Sequence, residues 1–209
     1  VAVGVGCIAL PTTAIWRLSP EKVLGCRLEW AQRHPDRLQA LVRSLYKSAL
    51  WCERPENHVE LSRLLAEPRF VGAPADILLR GLSNRLCLHA GGGPEQLPNF
   101  YVPASQAATF PWVSHALWFY SQMVRWGQVA FDPEHVSQVR ATYRPDLYRL
   151  ALAKFDTNIP VADTKVEGAD SHVLPAVPQS MPFGPDGFFD DQRFDADQLS
   201  DYIQKLPAS

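Results

Sequence analysis

An almost uninterrupted run of apolar residues at positions 110–128, FPWVSHALWFYSQMVRWGQ, predicts a buried central helix. At helical spacing one stripe of this segment is small or apolar throughout, and Trp118, Phe119 and Trp126 cover much of the remaining surface. A helix that is apolar on nearly all sides is buried, whereas a surface helix keeps one polar face. The segment is too short and too polar to span a bilayer. The members of the stripe are Val113, Ala116, Leu117, Tyr120, Val124 and Gly127.

Proline and aspartate residues mark the starts of further helices along the chain. Pro35 is followed by apolar residues at three- and four-residue steps, which predicts an amphipathic helix over residues 35–52. Asp132 supplies a cap and Pro133 a first helical position, so we predict a helix that continues to about residue 140. Other predicted helices cover residues 55–65, 74–79, 145–154 and 195–206.

Strand signals are few, so the pattern predicts a helix-rich α/β fold. Two short strands are expected at residues 7–10 and 22–28, and the sequence AGGGP at residues 90–94 predicts a loop. Between residues 158 and 192 closely spaced prolines and glycines leave little room for regular structure. We expect this late segment to wrap over a scaffold.

Composition changes this picture little. The chain has 209 residues, of which 46% are hydrophobic, and a formal net charge of −2, as in ordinary globular proteins. Because there is no basic surplus and no polybasic run, we expect neither direct nucleic-acid binding nor attachment to a membrane surface. The chain begins at Val1 without a methionine or a basic leader, and we expect this start to lie inside a domain.

Candidate chemistry is sparse, and neither an enzyme nor a cofactor or metal site is predicted. Ser114 and His115 are sequence neighbours, which point apart on a helix and do not form a nucleophile–base pair. The acidic loop at residues 186–195 has carboxylates at steps like those of a calcium loop, but not its length or its final glutamate. We therefore expect turn and helix-cap aspartates there, with calcium as the less favoured alternative. Four cysteines among apolar neighbours predict buried free thiols, namely Cys7, Cys26, Cys52 and Cys87.

Six ordered motifs together resemble one family of proteins, the nitrate- and bicarbonate-binding solute receptors of ABC transporters. The likeness is greatest to the nitrate branch, which includes cytoplasmic nitrate sensors. Family members are considerably longer, and a Glu-Pro-Trp-Asn motif of theirs would fall just before Val1. The motifs are IWRLSPEKVLG (15–25), HPDRLQAL (34–41), the central segment 110–128, YRPDLYR (143–149), KVEG (165–168) and FGPDGFFDDQRFD (183–195).

The resemblance implies the C-terminal part of a two-lobed, periplasmic-binding-protein-like (type 2) fold that closes on a small anion. Residues 1–28 would end the second lobe and return through the hinge. Residues 29–157 would form a helical layer that packs on the first lobe. Residues 158–209 would form a wrapping tail with a short final helix. Most residues that line the cleft would then lie upstream of this chain.

One binding residue follows from the resemblance, namely Lys22 in the motif Pro-Glu-Lys-Val. In the nitrate branch the lysine of this motif faces the anion, whereas bicarbonate receptors carry an acidic residue there and use it with a metal ion. A buried ammonium supplies both the charge and the hydrogen-bond donors that a monovalent oxyanion needs. A carboxylate would repel the anion unless a cation intervened.

The implied function is the binding of nitrate or nitrite, and its setting stays open. One alternative is a receptor that delivers the anion to an ABC permease at the periplasmic side or at the membrane. A second is a cytoplasmic sensor that signals through a regulatory (antiterminator) protein, and the four thiols tilt the balance toward it. A bicarbonate or other small-anion receptor, or a structural fragment that binds nothing because most of the cleft is missing, are the remaining alternatives.

Overall fold

The computed structural model describes residue 1 and residues 4–206, and it divides into two compact units. The first unit combines Val1–Ser19 with Leu45–Thr109, and the second combines Pro20–Ser44 with Phe110–Ser209. The helices are α1 (Leu28–Arg33), α2 (Pro35–Glu53), α3 (His58–Leu65), α4 (Ala75–Leu82), α5 (Val113–Arg125), α6 (Pro133–Thr142), α7 (Pro145–Leu152) and α8 (Leu199–Lys205). The strands are β1 (Arg85–Leu86), β2 (Glu95–Gln96), β3 (Ile159–Pro160), β4 (His172–Leu174), β5 (Ala176–Val177) and β6 (Met181–Phe183).

Apart from α1, which was not predicted, the helices begin within a few residues of the positions that the local signals predict, and this confirms the helix-rich interpretation of the pattern. Pro35, Pro133 and Pro145 each occupy the first position of a helix, where a missing backbone N–H costs nothing. Asp132 caps α6, because its carboxylate accepts a hydrogen bond from the backbone N–H of Glu134 at 2.7 Å. The predicted C-terminal helix forms as a short 3-10 turn that continues into α8.

The first unit is built around the packing of α3 on α4. Its buried side chains include Trp16, Tyr46 and Leu82. Strands β1 and β2 pair antiparallel, so the glycine-rich segment 90–94 lies in the loop of a hairpin, as predicted. The carboxylate of Glu53 accepts a hydrogen bond from the backbone N–H of Ser105 at 2.8 Å, which ties the end of α2 to a later loop.

The second unit has its core where α5 meets α6, α8 and the end of the tail. Leu117 and Phe194 are fully buried there, and Val113, Tyr120 and Leu199 pack beside them. The central helix is therefore a core element, as predicted. The prediction that this helix is buried on nearly all sides is wrong, because Phe119, Met123 and Trp126 are 40, 41 and 60% exposed. The difference arises because α6, α8 and the tail cover one side of α5, while apolar side chains continue around the other.

The two strands predicted near the start of the chain do not form, so both predictions are wrong. Residues 7–10 form no strand, although the Ile8 N–H donates to the Leu88 carbonyl at 2.9 Å. Residues 22–27 are irregular and Leu28 already begins α1. A strand needs a neighbouring ladder to satisfy its backbone groups, and apolar spacing alone does not supply one.

Regular structure appears instead in the tail, where we expected little. Strand β3 pairs with β5 and β4 with β6, each pair antiparallel and each strand two or three residues long. Across the described part of the chain, no helix is long and apolar enough to cross a bilayer. The assignment of residues 1–28, 29–157 and 158–209 to lobes, hinge and tail stays a prediction.

Candidate functional site

Lys22 lies in the irregular segment that precedes α1, within the second unit. Its side chain is 92% exposed, and its Nζ is 3.3 Å from an Oε2 of the neighbouring, largely exposed Glu21. An exposed pair of this kind contributes little free energy and exchanges readily with solvent ions. The ammonium is therefore accessible to an anion, but its own segment does not enclose it.

A second group of charged residues is buried in the same unit, and sequence reasoning missed it. Lys165, Glu167 and Asp186 are at most 9% exposed, and His115 on α5 lies against them. These three charged residues lie in the motifs KVEG (165–168) and FGPDG (183–187), which the sequence analysis used only for the family resemblance. No local pattern in these motifs distinguishes their charged residues from exposed ones. We call these four residues the buried ionic cluster.

The Lys165 ammonium is the centre of the buried ionic cluster. Its Nζ donates to a carboxylate oxygen of Glu167 and, at 2.7 Å, to Oδ2 of Asp186. The same nitrogen lies 4.8 Å from the ring centre of Phe183 and 5.8 Å from that of Trp112. Aromatic faces attract cations, and here they also shield the ammonium from water.

Backbone hydrogen bonds hold the cluster in register. The Lys165 N–H donates to Oγ of Ser114 on α5 at 3.2 Å. The Asp186 N–H donates to the Ala169 carbonyl at 2.9 Å. Gly168 is required between these anchors, because it has φ = +80° and an added Cβ would lie 2.5 Å from the Gln192 carbonyl oxygen.

Opposing effects act on the Glu167 carboxylate. Complete burial raises its pKa, but the charges of Lys165 and His115 and their hydrogen bonds outweigh burial and lower the pKa to about 2. Nε2 of His115 is 3.4 Å from Oε2 of Glu167. The other carboxylate oxygen, Oε1, has no hydrogen-bond partner among the described residues. Glu167 is therefore ionised in a site that water does not reach.

Ser114 and His115 act separately, as their adjacency on a helix predicted. The Ser114 hydroxyl contacts the backbone of Lys165, and His115 contacts the Glu167 carboxylate. These contacts bind the tail to α5 and do not form a nucleophile–base pair.

The acidic loop follows the turn-and-cap interpretation. Asp190 accepts a hydrogen bond from the Gln192 N–H, and Asp195 accepts one from the Asp197 N–H at the start of the last helical segment. Asp186 is directed to Lys165. Within the described ranges, no group of three or more histidine, cysteine or acidic side chains is arranged to hold a metal ion.

The cysteines differ from the prediction in burial. All four are free thiols, as expected, but Cys7 and Cys26 are exposed and Cys52 and Cys87 are only half-buried. Cys7 and Cys26 lie in the two segments where the predicted strands do not form. Without a sheet above them, their apolar neighbours do not bury them.

A groove of about 350 Å³ runs between α6 and the last helical segment. Arg140 lines it and donates to the Ala196 carbonyl at 3.1 Å. Its other lining residues are Phe131, Pro133, Val136, Asp197, Gln198, Leu199, Ser200 and Asp201.

Known proteins resemble this chain along nearly its whole length. Residues 1–66 match the NMT1-like family. The nitrate/nitrite binding protein NrtA of Nostoc sp. is 27% identical over 206 residues, which are 97% of this chain and 42% of that protein. The bicarbonate-binding protein CmpA of a Synechococcus strain is 26% identical over 97% of this chain and 43% of its own length. The nitrate import ATP-binding protein NrtC of Synechocystis sp. is 31% identical over 134 residues, which are only 64% of this chain and 20% of that protein.

The fold also resembles that of a known structure. The crystal structure of the periplasmic nitrate-binding protein NrtA from Synechocystis superposes with a TM-score of 0.84 and 23% identity, over 99% of this chain and 50% of that one. The predicted periplasmic-binding-protein-like (type 2) fold is thus confirmed. The chain is a homologue of the nitrate/nitrite-binding and bicarbonate-binding proteins, and it spans less than half the length of these relatives.

Proposed function

We propose that the chain is part of a receptor that binds nitrate or nitrite for an ABC-type import system. The observation that carries the proposal is Lys22, a lysine in Pro-Glu-Lys-Val, within a chain whose similarity to NrtA proteins extends over 97% of its length. In the proposed site the Lys22 ammonium donates to the oxygens of a planar monovalent anion.

Enclosure of the anion needs more than this chain supplies. Lys22 is 92% exposed, and a hydrated ammonium binds a weak oxyanion poorly in bulk water. The solved NrtA chain is matched over 50% of its length. In our proposal the part of the fold that this chain does not span provides the opposite wall of the site and excludes water. The same proposal assigns residues 1–28 to the hinge side, 29–157 to the helical layer and 158–209 to the tail.

Bicarbonate is the second candidate ligand, because CmpA proteins resemble the chain almost as closely as NrtA proteins do. The presence of a lysine at position 22 favours nitrate over bicarbonate as the ligand. A receptor that used an acidic residue together with a metal ion would need a carboxylate at this position, and the lysine here would repel the cation.

The partners follow from the same reasoning. Similarity to an NrtC protein supports an import setting with a permease and an ATP-binding component. Binding of an anion is proposed rather than catalysis, because the side chains of the buried ionic cluster are paired with one another and Ser114 and His115 contact different groups. The sensor role and its antiterminator partner stay predictions, as does the alternative of a fragment that binds no ligand.

Titration calorimetry on the natural full-length protein tests the proposal. Nitrate and nitrite are expected to bind with measurable heat without added metal. Bicarbonate, with and without calcium, is expected to bind at least tenfold more weakly. Tighter binding of bicarbonate than of nitrate in the presence of calcium would make bicarbonate the favoured ligand. Absence of binding by all three anions would reject the receptor function.

A further inference from the structure

Helix α5 presents large apolar side chains to the solvent on the side opposite its core face. Phe119, Met123 and Trp126 are 40, 41 and 60% exposed. Because they follow one another at steps of four and three residues, they lie on one face of the helix. Trp126 comes directly after the last residue of α5 and keeps the helical pattern, since its N–H donates to the Gln122 carbonyl at 3.0 Å. We call Phe119, Met123 and Trp126 the α5 stripe.

Polar and apolar side chains on α5 are placed in the reverse of the usual order. Ser114 and Ser121 are fully buried, and the Ser121 hydroxyl donates to the Trp118 carbonyl at 2.7 Å. The α5 stripe, in contrast, lies in solvent. A surface helix ordinarily keeps its polar residues outside and its apolar residues inside. Neighbouring exposed apolar side chains of this size therefore mark a contact surface.

The described part of the chain packs on the other side of α5. Leu117 is fully buried at the centre of that side, roughly 150° around the helix from the centre of the α5 stripe at 3.6 residues per turn. Trp126 is the one exposed tryptophan of the six in the sequence, all of which lie within the described ranges. The side of α5 that carries Trp126 is therefore the side that remains for a further contact. The core residues on the occupied side are Val113, Leu117, Tyr120, Phe194 and Leu199.

The related proteins contain more of the fold than this chain spans. The crystal structure of NrtA from Synechocystis superposes with a TM-score of 0.84 on 99% of this chain but over only 50% of its own length. The NrtA protein of Nostoc sp. is matched over 42% of its length. In these relatives a comparable length of chain lies outside the matched region. A part of that length needs an apolar surface on the matched region to which it can attach.

We propose that the α5 stripe is the surface on which the part of the receptor outside these 209 residues packs, through an apolar segment of that part. Phe119 and Trp126 supply the rigid anchors of this contact, and Met123 adapts to the space between them. The inference rests on the proposed function, because it takes the chain as part of a longer receptor. It does not depend on which anion the receptor binds.

The chemistry of the α5 stripe favours a permanent contact within one protein. None of its three side chains is charged, and the guanidinium of the neighbouring Arg125 lies 5.0 Å from the centre of the Trp126 ring. Permanent interfaces are more apolar than those between partners that associate and dissociate, such as a receptor and a permease. A lipid surface selects basic residues around an apolar patch, whereas this chain has a formal net charge of −2. Another part of the same protein is therefore the occupant that fits the stripe.

Photo-crosslinking on the purified natural full-length protein identifies what lies on the stripe. The photoreactive analogue p-benzoylphenylalanine replaces Phe119, and in the control protein it replaces Phe189, which is 74% exposed in the acidic loop. Position 119 is expected to link, within one molecule, to a peptide from outside these 209 residues, and position 189 is expected to yield no such peptide. A link between two molecules, a link only to these residues, or no link at position 119 would overturn the proposal.

Hydroxyl-radical labelling of the unsubstituted full-length protein keeps the test decisive if the analogue at position 119 disturbs folding. Trp126 is expected to be oxidised as slowly as Trp112, which is 1% exposed. Met123 is expected to be oxidised more slowly than Met181 of β6, although Met123 is the more exposed of the two in this chain. Oxidation of Trp126 well ahead of Trp112, or of Met123 ahead of Met181, would count against the contact.

Both measurements are made without nitrate, so their outcome is separate from that of the receptor function. A protein that binds nitrate while its α5 stripe is oxidised rapidly would keep the receptor function and overturn the proposed surface. A shielded stripe in a protein that binds none of the three anions would reject the receptor function and support the surface.

Discussion

Glu167 and Phe194 exchange both of their backbone hydrogen bonds, with N–O distances of 2.9 and 3.0 Å, and both side chains are fully buried. The bridge closes the tail on itself and places two unlike side chains beside α5. Phe194 enters the apolar core with Leu117, while Glu167 enters the ionic cluster with Lys165. One pair of backbone contacts therefore links the hydrophobic core of the second unit to its buried charges.

Removal of the ammonium from this cluster should be severely destabilising. Lys165→Met leaves Glu167 and Asp186 buried without their shared cation, and a broken buried pair costs about 3–5 kcal/mol. Urea unfolding followed by tryptophan fluorescence measures the loss. Lys154→Met, at an exposed lysine after α7, is the control and should change stability little. Similar midpoints for the two variants would mean that the cluster does not stabilise the fold.

Gly168→Ala should destabilise the tail although it adds a single methyl group. The backbone there has φ = +80°, and the new Cβ would lie 2.5 Å from the Gln192 carbonyl oxygen and 2.6 Å from a ring carbon of Phe188. Strain of this kind costs about 1–3 kcal/mol, to which the overlap adds. Gly93→Ala meets no atom within 4 Å and serves as the control in thermal unfolding. An unchanged melting temperature for Gly168→Ala would show that Gln192 and Phe188 do not lie this close to Gly168.

Acid should weaken the fold through Glu167. Because the pKa of this carboxyl group is lowered in the folded protein to about 2, its stabilisation is complete above its ordinary value of 4.5 and is lost as the pH falls toward 2. Glu167→Gln should be less stable at pH 7 and should lose less stability between pH 5 and pH 2. Unfolding by urea across this range gives the comparison. Parallel curves for wild type and variant would exclude Glu167 as a source of the acid sensitivity.

Lys22→Ala should weaken binding of nitrate by about ten- to hundredfold, the equivalent of one charge-assisted hydrogen bond of about 1.5–3 kcal/mol. Lys22→Glu should bind still more weakly, because it places a like charge beside the anion. Calorimetry on full-length variants gives the affinities, and Lys154→Ala controls for the loss of a positive charge elsewhere. Equal affinity of Lys22→Ala and wild type would remove Lys22 from the site.

The thiols should react in two groups. Cys7 and Cys26 are exposed and should be alkylated rapidly in the native protein, whereas half-buried Cys52 and Cys87 should react more slowly. Mass spectrometry of peptides after timed alkylation separates the groups. Labelling of all four only after denaturation would instead support the prediction from the sequence that these cysteines are buried.

Local signals were enough to predict most of the helices and the resemblance to nitrate- and bicarbonate-binding receptors. Pro35, Pro133 and Pro145 begin helices because a fixed φ and a missing N–H suit the first helical turn, and Asp132 caps α6 through its own neighbouring backbone. These are local effects, complete within a few residues, so they can be recognised without any distant contact. The Pro-Glu-Lys-Val motif that contains Lys22 could be found in the same way.

The positions of the strands and the burial of the charges depend on contacts between distant parts of the chain. Residues 7–10 and 22–28 have strand-like composition, yet a strand exists only where a second one supplies hydrogen-bond partners. Here such partners meet in the β1–β2 hairpin and in the tail. Lys165 and Asp186 are 21 positions apart, and His115 lies on a helix far earlier in the chain. Charged residues are ordinarily exposed, so no local pattern indicates that these side chains neutralise one another in the interior. Their burial depends on long-range packing of the tail against α5.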